Sequence, residues 1–283
     1  MKRIGFGGLV SMKKIILLLF FTSLQSNAQN IFKNEFEQNI ATRISTINLV
    51  DPHPFVDYVI CLDGTSYLNN TINDSMNNDG DGDGFIDDSV ITQFYTDQPD
   101  YITGRDLIAS VIDSDCPYPL HSAACEPEVG ASPTFISTVP SQINDCLNAI
   151  PGTESPAGYS PPINTISAPC YVSEPQNFTL NLLNGATLPL SGYQQAEKYE
   201  GGLTMSPGLI RGFVSQADAE AFNFTVHVNG NPLNLTLAEI LPGHPNNCKT
   251  PTLNDMDLGP DGITQGWWLY FNITSELVEF DSN

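Results

Sequence analysis

Apolar and polar residues alternate along four stretches in the C-terminal part of the chain, at residues 178–182, 222–228, 233–237 and 267–274. A period of two places successive side chains on opposite faces, which is the pattern of half-buried β-strands. Asn184-Gly185 and Asn229-Gly230 follow two of these stretches, and Asn-Gly is frequent in tight hairpin turns. The pattern predicts a mainly β protein with a β-sandwich-like C-terminal half, and a small barrel is the alternative arrangement.

Residues 29–48 have a different spacing, with an apolar side chain at every fourth position. These positions are Phe32, Phe36, Ile40 and Ile44. A repeat close to 3.6 residues places them on one face of a helix. The spacing therefore predicts an N-terminal helix over residues 29–48, which Pro52 would end.

A second helix is predicted between Asp63 and Asn77, where Leu68, Ile72 and Met76 follow one another at intervals of four. An acidic, glycine-rich run comes directly after it. The stretch Val90–Tyr95 is then rich in β-branched and aromatic residues, which favour strands. We expect an acidic loop that joins a helix to a strand.

Composition divides the chain into four segments, at residues 1–28, 29–115, 116–170 and 171–283. The second contains the acidic loop. The third is rich in proline and holds four of the six cysteines, which predicts an irregular region with short elements. The last segment is β-rich, and it either forms its own domain or folds together with residues 29–115.

The first 28 residues have the features of an export signal. Two lysines precede the apolar run Ile15–Phe21, and small residues lead to a cleavage position after Ala28. The apolar run is too short to span a bilayer. We expect a secreted, periplasmic or cell-surface protein that is not inserted in a membrane once the signal is removed.

The six cysteines lie beyond this signal, at positions 61, 116, 125, 146, 170 and 248. An even number in an exported chain favours three disulfide bonds. Cys116 and Cys125 are close in sequence, so we predict a bond between these two. A zinc site is the alternative, although the chain has no Cys-x-x-Cys pair and its four histidines are scattered.

The charge of the mature chain is strongly negative. Residues 1–28 hold four of the ten basic residues and no acids, so six basic residues remain against 32 acidic ones, a formal net charge of −26. Such a surface repels nucleic acid and anionic lipid and attracts divalent cations. A solubility role of the acidic surface is the simpler explanation.

The segment Asp79–Asp88 reads Asp-Gly-Asp-Gly-Asp-Gly-Phe-Ile-Asp-Asp. Carboxylates this close together repel one another, and a hard cation that takes six to eight oxygen ligands relieves the repulsion. Ca²⁺ is the usual ion of this kind in proteins. A flexible acidic loop without a metal is the alternative.

This segment resembles the calcium loops of EF-hand proteins and of thrombospondin type 3 repeats. The resemblance implies that the ligands are Asp79, Asp81, Asp83, the backbone carbonyl of Phe85, and Asp87 through water. Asp88, Asp74 or a carboxylate from elsewhere in the chain would complete the shell. The resemblance also implies that Gly84 makes the sharp turn and that Ile86 is the apolar anchor. The final position of the EF-hand pattern, normally a bidentate Glu, is Val90, so this chain departs from the pattern there. Because an exported protein meets a steady supply of calcium, we expect the bound ion to have a structural role.

The polar faces of the predicted strands are rich in Asn and Thr, and Trp268, Tyr270 and Asn272 lie on one of them. Amide and hydroxyl groups beside aromatic rings suit an extracellular polysaccharide or a protein partner, so these three residues are the predicted ligand-binding site. An ordinary solvated strand face is the alternative. A second acidic run, residues 255–262, is expected to form a surface turn.

The sequence contains no motif typical of a hydrolase nucleophile, a zinc peptidase or a nucleotide-binding loop. We therefore favour an exported, acidic, calcium-binding protein with a structural or ligand-binding role. An extracellular hydrolase that uses calcium as a structural ion is the alternative.

Overall fold

The computed structural model describes residues 40–57, 59–95, 107–141, 144–182, 186–199, 204–228 and 231–281. In the first half the strands are β1 (Ile40–Asp51), β2 (Phe55–Asp57), β3 (Cys61–Asp63), β4 (Val90–Tyr95), β5 (Leu107–Asp115), β6 (Glu126–Pro127), β7 (Thr134–Ser141) and β8 (Asp145–Leu147). In the second half they are β9 (Ile166–Ser167), β10 (Cys170–Ser173), β11 (Gln176–Leu182), β12 (Ala186–Tyr199), β13 (Thr204–Ser215), β14 (Asn223–Val228), β15 (Asn231–Thr236), β16 (Asp257–Leu258) and β17 (Gln265–Val278). The helices are α1 (Thr65–Ser75), α2 (Gln216–Ala221) and α3 (Leu237–Ile240).

Eight strands form a closed antiparallel barrel. Their order is β1-β4-β5-β7-β10-β12-β13-β17, and β1 pairs with β17 to close the ring. In this pairing Ile47 lies opposite Ile273 and Leu49 lies opposite Phe271. Because the ring is closed, each of these eight strands has a neighbouring strand on both sides over at least part of its length.

The mainly β class is confirmed, but the C-terminal half is not a β-sandwich. Its long strands β12, β13 and β17 belong to the same barrel as strands from residues 40–141. The hairpin β14–β15 forms a separate two-stranded sheet, as do β2–β3 and β8–β9. Alternation along a strand indicates that one of its faces is buried, but it does not indicate which other strands belong to the same sheet.

The predicted N-terminal helix is wrong for residues 40–48, because Ile40–Asp51 form the strand β1. Residues 29–39 of that prediction lie outside the described residues. An interval of four residues fits a helix, and it is also twice the period of a strand. Ile40, Thr42 and Ile44 are β-branched and alternate along β1, which favours the strand.

The predicted helix, acidic loop and strand near residues 63–95 are confirmed as α1, the loop after it, and β4. Leu68 and Ile72 of this helix pack against a hydrophobic cluster that contains Met76, at the C-terminal cap of the helix, and Ile47 and Leu49 of β1. Helix α1 therefore lies beside β1, and it brings the acidic loop to the wall of the barrel.

Strand β17 contributes to two hydrophobic clusters, one on each of its faces. Leu269 and Phe271 pack with the residues of β1 and β13 in the first. Trp268 and Tyr270 pack in the second, with Leu147 of β8. The segment around β8 and β9 thus covers one face of β17.

Three disulfide bonds join Cys61 to Cys248, Cys116 to Cys125, and Cys146 to Cys170. The predicted bond between Cys116 and Cys125 is confirmed. The first bond ties the hairpin β2–β3 to a loop 187 residues further along the chain. Such bonds are compatible with an extracellular protein. The helices in the described ranges are too short or too polar to cross a bilayer.

Candidate metal centre

The acidic loop begins where α1 ends, and backbone hydrogen bonds bring its two ends together. The N–H of Asp87 donates to the carbonyl of Asn78 at 3.0 Å, and the N–H of Asp88 donates to the carbonyl of Ser75 at 3.1 Å. These bonds place Asp87 beside Asp79, eight residues earlier in the chain. Backbone hydrogen bonds alone therefore bring the two ends of the loop together.

A second set of contacts fixes the far side of the loop to the segment that the Cys116–Cys125 disulfide closes. The N–H of Ile86 donates to the carbonyl of Cys116 at 2.8 Å, and the N–H of Tyr118 donates to the carbonyl of Gly84 at 2.9 Å. The side chain of Ile86 is 4% exposed and packs in a cluster with both cysteines. Ile86 thus anchors the loop as the sequence predicted.

Asp79, Asp81 and Asp87 converge at the centre of the loop. One carboxylate oxygen of each lies within 4.8 Å of the others. Backbone N–H groups orient all three carboxylates: Gly82 and Gly84 donate to Asp79 at 2.7 and 3.0 Å, Gly80 donates to Asp87 at 2.8 Å, and Asp83 donates to Asp81 at 3.1 Å. The carboxylates are thus held in position by the chain itself.

Glycine is required at several positions of this loop for different reasons. Gly82 and Gly84 have φ angles of 81° and 95°, a region that side chains with a β-carbon rarely adopt. At Gly80 the reason is space, because a β-carbon there would lie 2.6 Å from Oδ2 of Asp87. The glycines therefore allow both the turn and the close approach of Asp87.

The donor set fits a hard divalent cation. Its three converging groups are carboxylates, and among the described residues none of them forms a salt bridge with a basic side chain. Oxygen ligands and three nearby negative charges are what Ca²⁺ prefers, whereas zinc sites usually contain nitrogen or sulfur. The residues present therefore fit calcium.

The other predicted ligands are not part of the converging group. The Oδ1 atom of Asp83 accepts a hydrogen bond from the N–H of Phe85 at 2.8 Å, two residues further along the chain. The backbone of Asp88 bonds to the end of α1. Phe85 has an exposed side chain, and its backbone forms a β-bridge with Pro117.

The predicted ligand-binding face is not an exposed aromatic surface. Trp268 and Tyr270 are 6% and 0% exposed. The indole N–H of Trp268 donates to the carbonyl of Leu258 at 3.1 Å, and the hydroxyl of Tyr270 accepts from the N–H of Ile150 at 3.0 Å. The proline- and cysteine-rich segment folds over this face, which alternation alone does not reveal.

Asn272 supports the same covering segment. Its Oδ1 atom accepts from the N–H of Asn164 at 2.8 Å, and its amide donates to the carbonyl of Pro162 at 2.9 Å. The Asn- and Thr-rich strands also do not form one surface, because the hairpin β14–β15 is a separate sheet. Both corrections remove the basis for a ligand site at these residues.

A buried acidic cluster that the sequence did not indicate lies at the end of β1. Ser155 joins two carboxyl groups: its N–H donates to Oδ2 of Asp51 at 2.8 Å, and its hydroxyl donates to Oδ1 of Asp255 at 2.7 Å. Burial raises the pKa of Asp51 to about 7, and repulsion by Asp255, Glu154 and Asp257 adds to the shift. Burial also raises the pKa of Asp255. The two carboxyls lie on distant parts of the chain, so no local spacing could have found them.

His53 and Tyr159 extend this cluster. Their rings stack with centroids 3.7 Å apart, Nδ1 of His53 lies 2.7 Å from Oδ2 of Asp63, and the hydroxyl of Tyr159 donates to Asp255 at 3.3 Å. The predicted surface turn at residues 255–262 is exposed at Asp261, which accepts hydrogen bonds from the N–H groups of Ile263 and Thr264. Asp255 at its start is buried instead.

Glu197 is a further buried carboxyl, on strand β12 of the barrel. Its Oε1 atom accepts from the hydroxyl of Tyr171 at 2.6 Å and from the amide of Gln195 at 2.8 Å. Burial raises the pKa of Glu197, which favours its neutral form. The group therefore belongs to a hydrogen-bonded network of the core.

A comparison of the chain with protein families, with characterised proteins and with solved structures finds no match.

Proposed function

We propose that this chain is an exported acidic protein that binds one Ca²⁺ through Asp79, Asp81 and Asp87, and that the ion stabilises the fold. The observation that carries the proposal is the convergence of these three carboxylates within 4.8 Å on a loop whose ends are already joined. Preorganised ligands lower the entropy cost of binding. Asp83, Asp88 and the carbonyl of Phe85 are the further oxygens that would complete the shell.

The similarity of the loop to EF-hand and thrombospondin type 3 calcium loops supports the choice of ion. The alternation of Asp and Gly, the turn at Gly84 and the buried anchor Ile86 agree with both patterns. Val90, at the place of the usual bidentate Glu, is the first residue of β4 and supplies no carboxylate. We therefore propose a weak site, with a Kd on the order of 0.1–1 mM, which extracellular calcium would fill.

Export is supported by the N-terminal segment and by the three disulfide bonds. The strongly negative charge of the chain supports cation binding, because it concentrates cations near the loop and disfavours anionic partners. A catalytic role of the cluster at Asp51 and Asp255 is not proposed, because these carboxyls are only 5% and 7% exposed.

Thermal unfolding with calcium and with a chelator tests the proposal. Binding to the folded state alone adds about 1.4 kcal/mol at tenfold excess over Kd. For a domain of this size that corresponds to about 3–6 °C in Tm. We expect the chelator to lower the Tm by this amount and calcium to restore it.

Asp81→Ala should abolish the difference between the two conditions. Asp57→Ala, at an exposed position of β2, is the matched control and should keep the difference. An equal Tm of the unsubstituted protein in calcium and in chelator would refute the structural role of the ion.

A further inference from the structure

Strand β1 has a complete partner on one side and an incomplete one on the other. It pairs with β17 along nearly its whole length, from Ala41 to Asp51. On the opposite side it pairs with β4 only from Ile40 to Arg43. The backbone groups of the following residues on that side need other hydrogen-bond partners.

Asparagine side chains of α1 and of the turn after it supply these partners. The amide of Asn73 both accepts from the N–H of Ile47 at 2.9 Å and donates to its carbonyl at 3.0 Å. Asn69 makes the same pair of bonds with Leu49, at 2.9 and 3.0 Å. Asn77 donates to the carbonyl of Ser45 at 2.9 Å. Three carboxamides thus take the place of a neighbouring strand.

The spacing of the asparagines explains how a helix can do this. Four residues of a helix advance by about 6 Å, at 1.5 Å each. Two residues of a strand advance by about 6.7 Å. Asparagine at every fourth position of the helix therefore matches every second residue of β1, and we call these three residues the asparagine ladder.

The asparagine ladder is directly connected to the acidic loop. Asn77, its last member, precedes Asp79 by two residues. The buried guanidinium of Arg43 on β1 donates to the carbonyl of Met76, to Oδ1 of Asn77 at 3.1 Å and to Glu276 at 2.8 Å. The end of α1, the start of the loop and the barrel wall therefore meet at one place.

We propose that calcium in the acidic loop holds α1 on β1 through the asparagine ladder, and so keeps the backbone edge Ser45–Leu49 covered. This inference rests on the calcium site proposed above, and it names what the ion controls. A helix of 11 residues is marginal in isolation, so α1 depends on its contacts at both ends. Without the cation, repulsion between Asp79 and Asp87 opposes the bonds that join the loop to α1 and weakens them.

Amide hydrogen exchange with and without calcium tests the coupling. The N–H groups of Ile47 and Leu49 are bonded to asparagine side chains and should exchange at least about tenfold faster in chelator. Amides in the β13–β17 pair, on the far side of β17 from β1, are the internal control and should change far less. Calorimetry on the same sample establishes whether calcium binds.

Equal exchange of Ile47 and Leu49 in both conditions, with calcium binding present, would overturn the coupling and leave the calcium site standing. Absence of binding would overturn both. These two failures are therefore distinguishable.

A second test uses the reciprocity of coupled equilibria. If calcium binding stabilises the asparagine ladder, the ladder must strengthen calcium binding by the same factor. Asn73→Ala removes the central pair of the asparagine ladder and should raise the Kd for calcium at least about fivefold. Asn70→Ala, at an exposed position of the same helix, is the matched control and should leave the Kd unchanged. An unchanged Kd in Asn73→Ala would contradict the proposal, and Asn69→Ala provides a second variant if Asn73→Ala does not fold.

Discussion

Gly80 and Asp87 approach each other so closely that a β-carbon on Gly80 would lie 2.6 Å from Oδ2 of Asp87. The N–H of Gly80 donates to the other carboxylate oxygen of Asp87 at 2.8 Å. A side chain at position 80 would therefore displace the carboxylate that joins the end of the loop to its beginning.

Gly80→Ala should raise the Kd for calcium about tenfold, because the displaced Asp87 no longer converges with Asp79 and Asp81. In excess chelator the variant and the unsubstituted protein should have nearly the same Tm, since the backbone at Gly80 is outside the region that requires glycine. Calorimetric titration and thermal unfolding measure the two quantities. A Kd equal to that of the unsubstituted protein would contradict the need for glycine at position 80.

The buried cluster at Asp51 predicts a pH dependence of stability. Its folded-state pKa is raised to about 7 from an ordinary value of 3.8, so the folded protein favours the neutral carboxyl. The contribution to stability is complete below pH of about 4, declines as the pH rises, and is lost above about 7. Asp255, whose pKa burial also raises, contributes with the same sign.

Asp51→Asn should reduce the loss of unfolding free energy between pH 4.5 and pH 8, because the amide can still accept from the N–H of Ser155 and carries no charge. Urea denaturation at both pH values measures this. Asp57→Asn, at the exposed last residue of β2, should retain the full pH dependence. An identical pH profile in Asp51→Asn would show that this carboxyl is not the source.

Glu197→Gln should be tolerated, whereas Glu197→Ala should not. Glutamine keeps the Oε1 acceptor that Tyr171 and Gln195 use, and it removes a carboxyl that burial holds neutral. Alanine leaves the Tyr171 hydroxyl without this acceptor inside the barrel, at a cost of about 2 kcal/mol or more. Equal destabilisation by both substitutions in urea denaturation would show that the carboxyl itself is required.

Features that depend on neighbouring residues in the chain were predictable from the sequence. The spacing of Leu68, Ile72 and Met76 predicts α1, and the β-branched stretch from Val90 predicts β4. The acidic loop between them contains the candidate ligands, the turn and the anchor Ile86 within ten residues. Most of the candidate site therefore consists of residues that are close together in the sequence.

Features that depend on distant contacts were not predictable in the same way. The pairing of β1 with β17 joins the two ends of the described chain, and the interval of four from Ile40 to Ile44 fits a helix as well as a strand. Trp268 and Tyr270 are on the polar-rich side of β17, but the segment around Leu147 covers them. Ser155 lies 104 residues from its partner Asp51.

The asparagine ladder is an intermediate case. Its interval of four residues, at Asn69, Asn73 and Asn77, is visible in the sequence. Asparagine is a poor helix former, so its recurrence in a predicted helix indicates another requirement. Only the position of β1 shows that the requirement is a set of unpaired backbone groups.

The central claim is that Asp79, Asp81 and Asp87 together bind one calcium ion. Isothermal titration calorimetry of the mature protein with Ca²⁺ tests it most directly, with Asp79→Ala as the variant and Asp57→Ala as the matched control. We predict one ion per chain for the unsubstituted protein and the control, and no measurable binding for Asp79→Ala. No binding by the unsubstituted protein, or binding that Asp79→Ala leaves unchanged, would contradict the claim.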